Sequence, residues 1–368
     1  MAQACGSEAV VIGAGMGGLA AAMALSRHFE HVTVLDRDRL PSGPEPRIGT
    51  PQAWHGHALL LSGQRAWEQL YPGFEHALAN AGAVKMRAGL DIIWERPGYD
   101  PFPIRDLGFD DFFMSRALLE HVCRLGVTAV DNVSLRANSR VTEIVASDRH
   151  VVTAVRYENA GGEISTLSAD FVVDASGRGG PTLALLETLG LPKPEVTEIG
   201  IDVGYSSTIF EAPEPEPGRW RGVVHFPRAP DSSRGAGLLP LEGNRWLLGL
   251  GGRHDQVPPG DIDGVMAFIK GLRTATIYDA VSEARQVSEV FRFNFPSSVR
   301  RHFERLPQFP RGLIPIADAV CRFNPLYGQG MSVAALEACA LGQMLERREG
   351  TPDPIDGLAP DFFNEIQP

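Results

Sequence analysis

The sequence predicts an α/β protein in which a mostly antiparallel sheet is set into a parallel strand-and-helix layer, and three observations carry that expectation. Near the start, the glycine-rich turn Gly13-Ala14-Gly15-Met16-Gly17-Gly18 stands between a short apolar run and an alanine-rich helical stretch. In the middle, β-type runs follow one another at residues 199–210, 221–226, 236–239, 245–250 and 287–295. Near the end, an apolar run at 313–316 leads through Pro325, Gly328 and Gly330 into a helix with almost no polar face.

Taken in order, residues 9–12 read as a buried parallel strand, 19–27 as a helix and 32–35 as a second strand. Residues 41–51 hold four prolines and two glycines and read as a loop. A helix is predicted over 62–70. Another spans 115–125, with Ser115 as its cap, Leu118, Leu119, Val122 and Leu125 on one face, and Gly126 as its C-terminal glycine. Residues 141–145, 151–157 and 171–173 read as strands, with Gly161-Gly162 as a hairpin turn. A helix over 262–272 interrupts the later strands, and 331–345 is a helix buried on all sides. Arg300 and Arg301 read as a strand-to-helix surface.

Composition excludes several classes. At 43% hydrophobic and 21% charged residues, the 368-residue chain can bury a sizeable core. A net charge of −11 with no basic stripe argues against nucleic-acid binding. Cys5, Cys123, Cys321 and Cys339 have no metal-ligand spacing and read as reduced thiols in a cytoplasm. Neither a signal peptide nor an integral membrane segment is expected.

The first glycine motif is suited to a dinucleotide. Gly13 permits the tight turn, Gly15 lets a pyrophosphate approach the backbone, and Gly18 lets the helix pack closely on the strand. The helix start then offers free N–H groups and a partial positive charge. Asp36, 18 residues after Gly18 and followed by Arg37, is placed for ribose hydroxyls. A second motif, residues 317–331, repeats the logic: a strand delivers Asp318, suited to polyol hydroxyls, and Pro325, Gly328, Gln329, Gly330 and Met331 run into a helix. N–H groups at Gly330 and Met331 would stabilise the negative charge of a reduced flavin by about 1–2 kcal/mol.

Together the two motifs resemble the FAD-binding fold of the class A flavoprotein monooxygenases, the para-hydroxybenzoate hydroxylase type. The resemblance is closer still to the FAD-dependent epoxidases of polyether biosynthesis. Their Pro-Gln-x-x-His-x-His-x-Leu-Leu pattern is matched by Pro51, Gln52, His55, His57, Leu59 and Leu60. Val173-Asp174-Ala175-Ser176-Gly177 matches a second segment, and Asn324-Pro325 with Tyr327-Gly328-Gln329-Gly330-Met331 a third. The resemblance runs from about residue 9 to 345 and implies a Rossmann-like FAD-binding domain of the glutathione-reductase type, with an interleaved antiparallel-sheet substrate domain. It implies FAD contacts from Arg116, Arg47, Gln52 and Asp174 besides the motif residues. Residues 1–75, 101–190 and 300–368 would form the FAD-binding domain, and 76–100 with 191–299 the substrate-binding domain. The family's Gly-Asp pair reads Ala317-Asp318 here.

The implied function is a monooxygenase, an epoxidase or hydroxylase acting through a flavin C4a-hydroperoxide and O2 on an apolar small molecule of secondary metabolism. NAD(P)H or a partner flavin reductase would supply electrons. Trp220, His225, Phe226, Trp246, Phe291, Phe293 and Phe295 are candidates for the pocket wall. No catalytic acid or base stands out, and His55 and His57 lack a third metal ligand at a telling spacing, so no metal is expected. The alternatives are a flavin-dependent halogenase, for which the Trp-x-Trp-x-Ile-Pro segment is absent and lysine is restricted to Lys85, Lys193 and Lys270; a flavin-dependent reductase; and a truncated, non-catalytic flavin-binding protein.

Overall fold

The structure, a computed structural model, describes residues 5–99, 102–214, 218 and 220–367. Its first layer is a five-stranded parallel sheet in the order Leu313–Pro315, Phe171–Asp174, Gly6–Ile12, Phe29–Leu35, Val133–Arg136. The central strand is apolar on both faces because both are covered. Ala9 and Val11 pack with the helices Met16–Leu25, Arg116–Thr128 and Gly330–Arg348. Val10 and Ile12 face the opposite way, onto a three-stranded meander formed by Arg140–Ala146, Val152–Glu158 and Ile164–Ser168.

The second layer is a seven-stranded sheet in the order Cys321–Arg322, Phe291–His302, Glu195–Glu211, Arg245–Arg253, Gly235–Leu241, Gly222–His225, Ile92–Glu95. It is antiparallel except at its last pair. One face carries Phe210, Trp246, Leu248 and Leu250 and is covered by the helices Ile262–Lys270 and Thr276–Val281. The other face is turned toward the 51–60 segment. No helix of the described residues is long and apolar enough to cross a membrane.

Several expectations need correcting. Gly126 does not end its helix, which continues to Thr128. It is glycine because the Tyr71 ring lies against it, and a Cβ there would sit 2.6 Å from Tyr71 Cε1. The strand expected at 287–295 instead runs Phe291–His302, so Arg300 and Arg301 are strand residues. Its register is set by the 17-residue partner Glu195–Glu211, which begins four residues before the predicted start and supplies backbone partners that side-chain patterning cannot reveal.

Candidate cofactor site

At the first turn, Gly13 has φ +99°, and a Cβ there would approach the Ala175 carbonyl oxygen to 2.7 Å. Gly18 is more restricted: a Cβ would lie 1.8 Å from the Gly13 carbonyl oxygen, so only glycine lets the helix Met16–Leu25 close on the strand. Gly15 differs from both. A Cβ there would find nothing nearer than Arg47 Nη2 at 4.0 Å, so no intramolecular crowding requires glycine. Gly15 is also the N-cap, no side chain caps this helix, and its first N–H groups remain available to an anion.

A buried ionic network stands beside that opening. Asp36 Oδ2 accepts the Ala14 N–H at 2.6 Å, and Oδ1 accepts the Asp38 N–H at 2.8 Å. Arg47 donates through Nη1 to Asp38 at 2.6 Å and Asp36 at 3.3 Å, and through Nε to Glu120 at 2.6 Å. Arg116 Nη2 lies 2.8 Å from the other Glu120 oxygen. Burial alone would depress the Arg47 guanidinium, but the charges of Glu120 and Asp36 raise it instead. Burial would likewise favour a protonated Glu120, yet Arg116 and Arg47 hold its carboxyl below the usual range. Arg47 therefore stands beside Asp36, next to the first turn. Arg37 points away, with a side chain 69% exposed. Gln52 sits half-buried in the short turn Pro51–Trp54.

Asp174, which the resemblance implies as a cofactor contact, has both carboxylate oxygens bonded within the protein. It is fully buried, and its carboxylate accepts the Ser176 N–H at 3.0 Å, the Thr182 N–H at 3.0 Å and the Thr182 hydroxyl at 2.6 Å. Its work is to shape the loop that packs under Gly13.

The second turn touches the first. A Cβ on Gly17 would meet Ala317 Cβ at 2.9 Å, so two motifs 300 residues apart are in van der Waals contact. Ala317 holds φ +56°, a left-handed conformation that costs a non-glycine residue about 1 kcal/mol. The pair predicts a compensation. Gly17→Ala should destabilise the protein by about 1–3 kcal/mol through overpacking, and adding Ala317→Gly should recover at least half of that. A four-variant urea-denaturation cycle checks it; additive effects would contradict the contact.

From this turn Asp318 reaches a position where no described side chain or backbone group bonds its carboxylate. Burial pushes Asp318 up to about 6, with Arg322 and Arg301 pulling the other way. Arg301 Nη1 ties the turn down by donating to the Asp318 and Ala319 carbonyl oxygens at 3.3 and 3.0 Å. Asn324 caps the turn Pro325–Tyr327, and Gly328 with φ +64° redirects the chain toward Gln329 and the helix Gly330–Arg348. No side chain caps that helix either, so Gly330 and Met331 can present N–H groups to a ligand. The 51–60 segment is pinned to the same helix start, because Ser332 Oγ accepts the Leu60 N–H at 3.0 Å.

Beside the second turn lies the other face of the seven-stranded sheet, against the 51–60 segment. Phe291, Phe293 and Phe295 share this face with Tyr205 and Ser207. Phe291 stacks on Trp54 with centroids 4.1 Å apart. His55 Nδ1 is 2.8 Å from Ser207 Oγ, and its ring lies 5.8 Å from Phe293 and 6.4 Å from Tyr205. Burial lowers His55 to about 4; burial and Arg116 lower His57 to about 4. Both imidazoles are therefore neutral at pH 7. Arg322 joins face and turn, its guanidinium 5.2 Å from the Phe295 ring centre. The other pocket candidates fall elsewhere. Trp246 faces the helix-covered side and stacks on Trp220, while buried His225 is bonded to Thr274 and Glu95. Phe226 stacks on half-exposed Trp94. The alternation of a strand divides these aromatics between two faces of one sheet.

The chain matches the family described as "FAD binding domain" over residues 114–350 and that described as "FAD dependent oxidoreductase" over residues 8–184. It belongs to this FAD-binding family. This flavoprotein is 33% identical over 353 residues to Protein Rv3254 of Mycobacterium tuberculosis (strain ATCC 25618 / H37Rv), covering 93% of the chain and 73% of the relative. Its fold is similar to that of pqsL, a probable FAD-dependent monooxygenase from Pseudomonas aeruginosa (17% identity, TM-score 0.70, 98% and 93% of the two chains). It is also similar to the flavin-dependent brominase Bmp2 (16% identity, TM-score 0.71, 98% and 84%). The flavoprotein is an FAD-dependent oxidoreductase, and the residues present fit its cofactor: an uncrowded Gly15 before a free helix start, and a half-buried Asp318 carboxylate that no described residue hydrogen-bonds, suited to a polyol.

Proposed function

We propose that this flavoprotein is a monooxygenase that inserts one oxygen atom into an apolar alkene or electron-rich ring. FAD would lie extended across the two touching turns, its diphosphate at the Met16 helix start and its ribityl hydroxyls on Asp318. The Gly330 helix start would face the ring system. Residues 1–75, 101–190 and 300–368 would carry the cofactor, and 76–100 with 191–299 the substrate. When bound, FAD supplies the activation of O2. The chain's own residues position the substrate and exclude water. Overall, substrate, O2, NAD(P)H and a proton give oxygenated substrate, NAD(P)+ and water; a partner flavin reductase could deliver the same two electrons.

The observation that carries this reading is the aromatic face of Trp54, Phe291, Phe293, Phe295 and Tyr205, lined by the neutral His55 and adjoining the Asp318 turn through Arg322. Such a surface suits an apolar ligand and provides no ionised group for acid–base work, which oxygen insertion does not require from the protein. A halogenase would want a lysine at this face. Lys85 is paired with Asp110, Lys193 with Glu187, and Lys270 lies over Tyr278 beneath the sheet's other side.

The test is turnover of the FAD-loaded protein with 18O2, NAD(P)H or a flavin reductase, and a panel of apolar alkenes and arenes. One labelled oxygen per product is expected. Product saturated without O2, or halogenated only when bromide is added, would refute the proposal.

A further inference from the structure

Glu337 is a buried acid on the core-facing side of the helix Gly330–Arg348, within its apolar stretch 333–342, and no cofactor contact proposed above uses it. It is 6% exposed, and its Oε2 accepts the Ala317 N–H at 2.5 Å. That N–H belongs to the left-handed residue that turns the chain and aims Asp318. No other hydrogen bond from the 330–348 helix reaches this turn among the described residues, so the carboxylate is the polar peg between helix and loop. We propose that Glu337 is a positioning residue for the flavin half of the cofactor: it holds the Ala317-Asp318 turn in the shape that presents Asp318 to the ribityl chain. The inference rests on the FAD placement proposed above.

The cost of keeping Glu337 supports a role beyond packing. A carboxyl buried this deeply is pushed up to about 7, chiefly by desolvation; the Ala317 N–H opposes the shift and the neighbouring Asp318 adds to it. Arg301, Arg322 and Cys321 are the other titratable groups around the pair, and Arg301 spends its donors on backbone carbonyls. An apolar residue would fill the same space more cheaply but would leave the Ala317 N–H unpaired. Ionised Glu337 also adds negative charge beside Asp318, which disfavours electron density on a nearby flavin.

The test uses the full chain, with Glu337→Leu and Glu337→Gln compared with wild type. ADP serves as the probe that needs only the first turn, and FAD as the probe that needs both. Glu337→Leu is expected to bind ADP within about twofold of wild type and FAD at least about tenfold more weakly, about 1.4 kcal/mol. Glu337→Gln keeps an oxygen for the Ala317 N–H and should restore FAD binding. It should also remove the part of the flavin potential's fall with pH that wild type shows around pH 7. Equal FAD affinity in Glu337→Leu and wild type would overturn the inference alone; a wild type that binds ADP but not FAD would overturn the cofactor placement instead. Should Glu337→Leu lose both ligands through unfolding, the Gln potential profile decides: a flattened slope supports the proposal, and a wild-type slope refutes it.

Discussion

Gly15→Val is expected to fold and yet bind FAD at least about 100-fold more weakly. The added Cβ has open space, its nearest neighbour being the far end of the Arg47 side chain at 4.0 Å, and the backbone at φ −74°, ψ −178° is ordinary extended chain. Exchanging a glycine N-cap for valine should cost the apoprotein about 1 kcal/mol. In the placement proposed above, the side chain would fill the space through which a diphosphate reaches the free N–H groups. Gly18→Ala is the contrasting control. Its Cβ would lie 1.8 Å from the Gly13 carbonyl, so it should fail at folding, before ligand binding is in question. Circular-dichroism melts and FAD titration of apoprotein separate the two. Gly15→Val binding within threefold of wild type would mean that the diphosphate does not lie there.

Arg47→Met is expected to destabilise the protein by about 3–5 kcal/mol at pH 7, because it strands buried acids without their shared cation. Asp36, Asp38 and Glu120 all bond Arg47, and the side chains of the whole cluster are under 10% exposed. Replacement of an exposed arginine would cost less than about 1 kcal/mol. The sign of the pH dependence follows from Glu120, whose carboxyl is held below its ordinary value in the folded protein. That stabilisation is present above the unfolded carboxylate range and is lost as pH falls through the depressed folded value. The gap between wild type and Arg47→Met should therefore narrow on acidification below about pH 4.5. Urea denaturation at pH 7 and pH 4 measures it; a gap that stays constant or widens would assign the cluster's stability to something other than this ionic network.

Much of this architecture is legible in the sequence where local rules and long-range packing agree. The Gly13–Gly18 turn, the Ser115-capped helix and the Gly330 helix each carry their own signals. The Ser115 hydroxyl indeed accepts the Leu118 N–H at 3.1 Å. What was not legible depends on partners far along the chain. Gly126 reads as a helix end until Tyr71 is beside it. That Asp174 has Ser176 on one oxygen and Thr182 on the other is likewise invisible in its motif. Ala317 looks like a defect in a glycine position, whereas its methyl lies against Gly17 and its N–H is held by Glu337. Glu337 itself left a readable trace, a carboxylate within the apolar stretch 333–342, but nothing in the spacing says which N–H it meets. The aromatic candidates illustrate a different limit. Alternation correctly groups Phe291, Phe293 and Phe295, but only the sheet order shows that Trp246 faces the opposite way.

The strand Phe291–His302 has a consequence for anyone who would re-engineer the protein. Its first half lines the aromatic face; its second half is laddered to Cys321–Arg322, two residues beyond the turn that carries Asp318. One rod thus runs through both compartments. A chimera cut between residues 299 and 300, where the chain looks divisible, would separate Val299 from its ladder partner Arg322 and part Phe295 from the guanidinium it rests on. Donor sheets from a relative will have to travel with their own version of residues 318–322, so the aromatic face and the Asp318 turn are inherited as a single parcel.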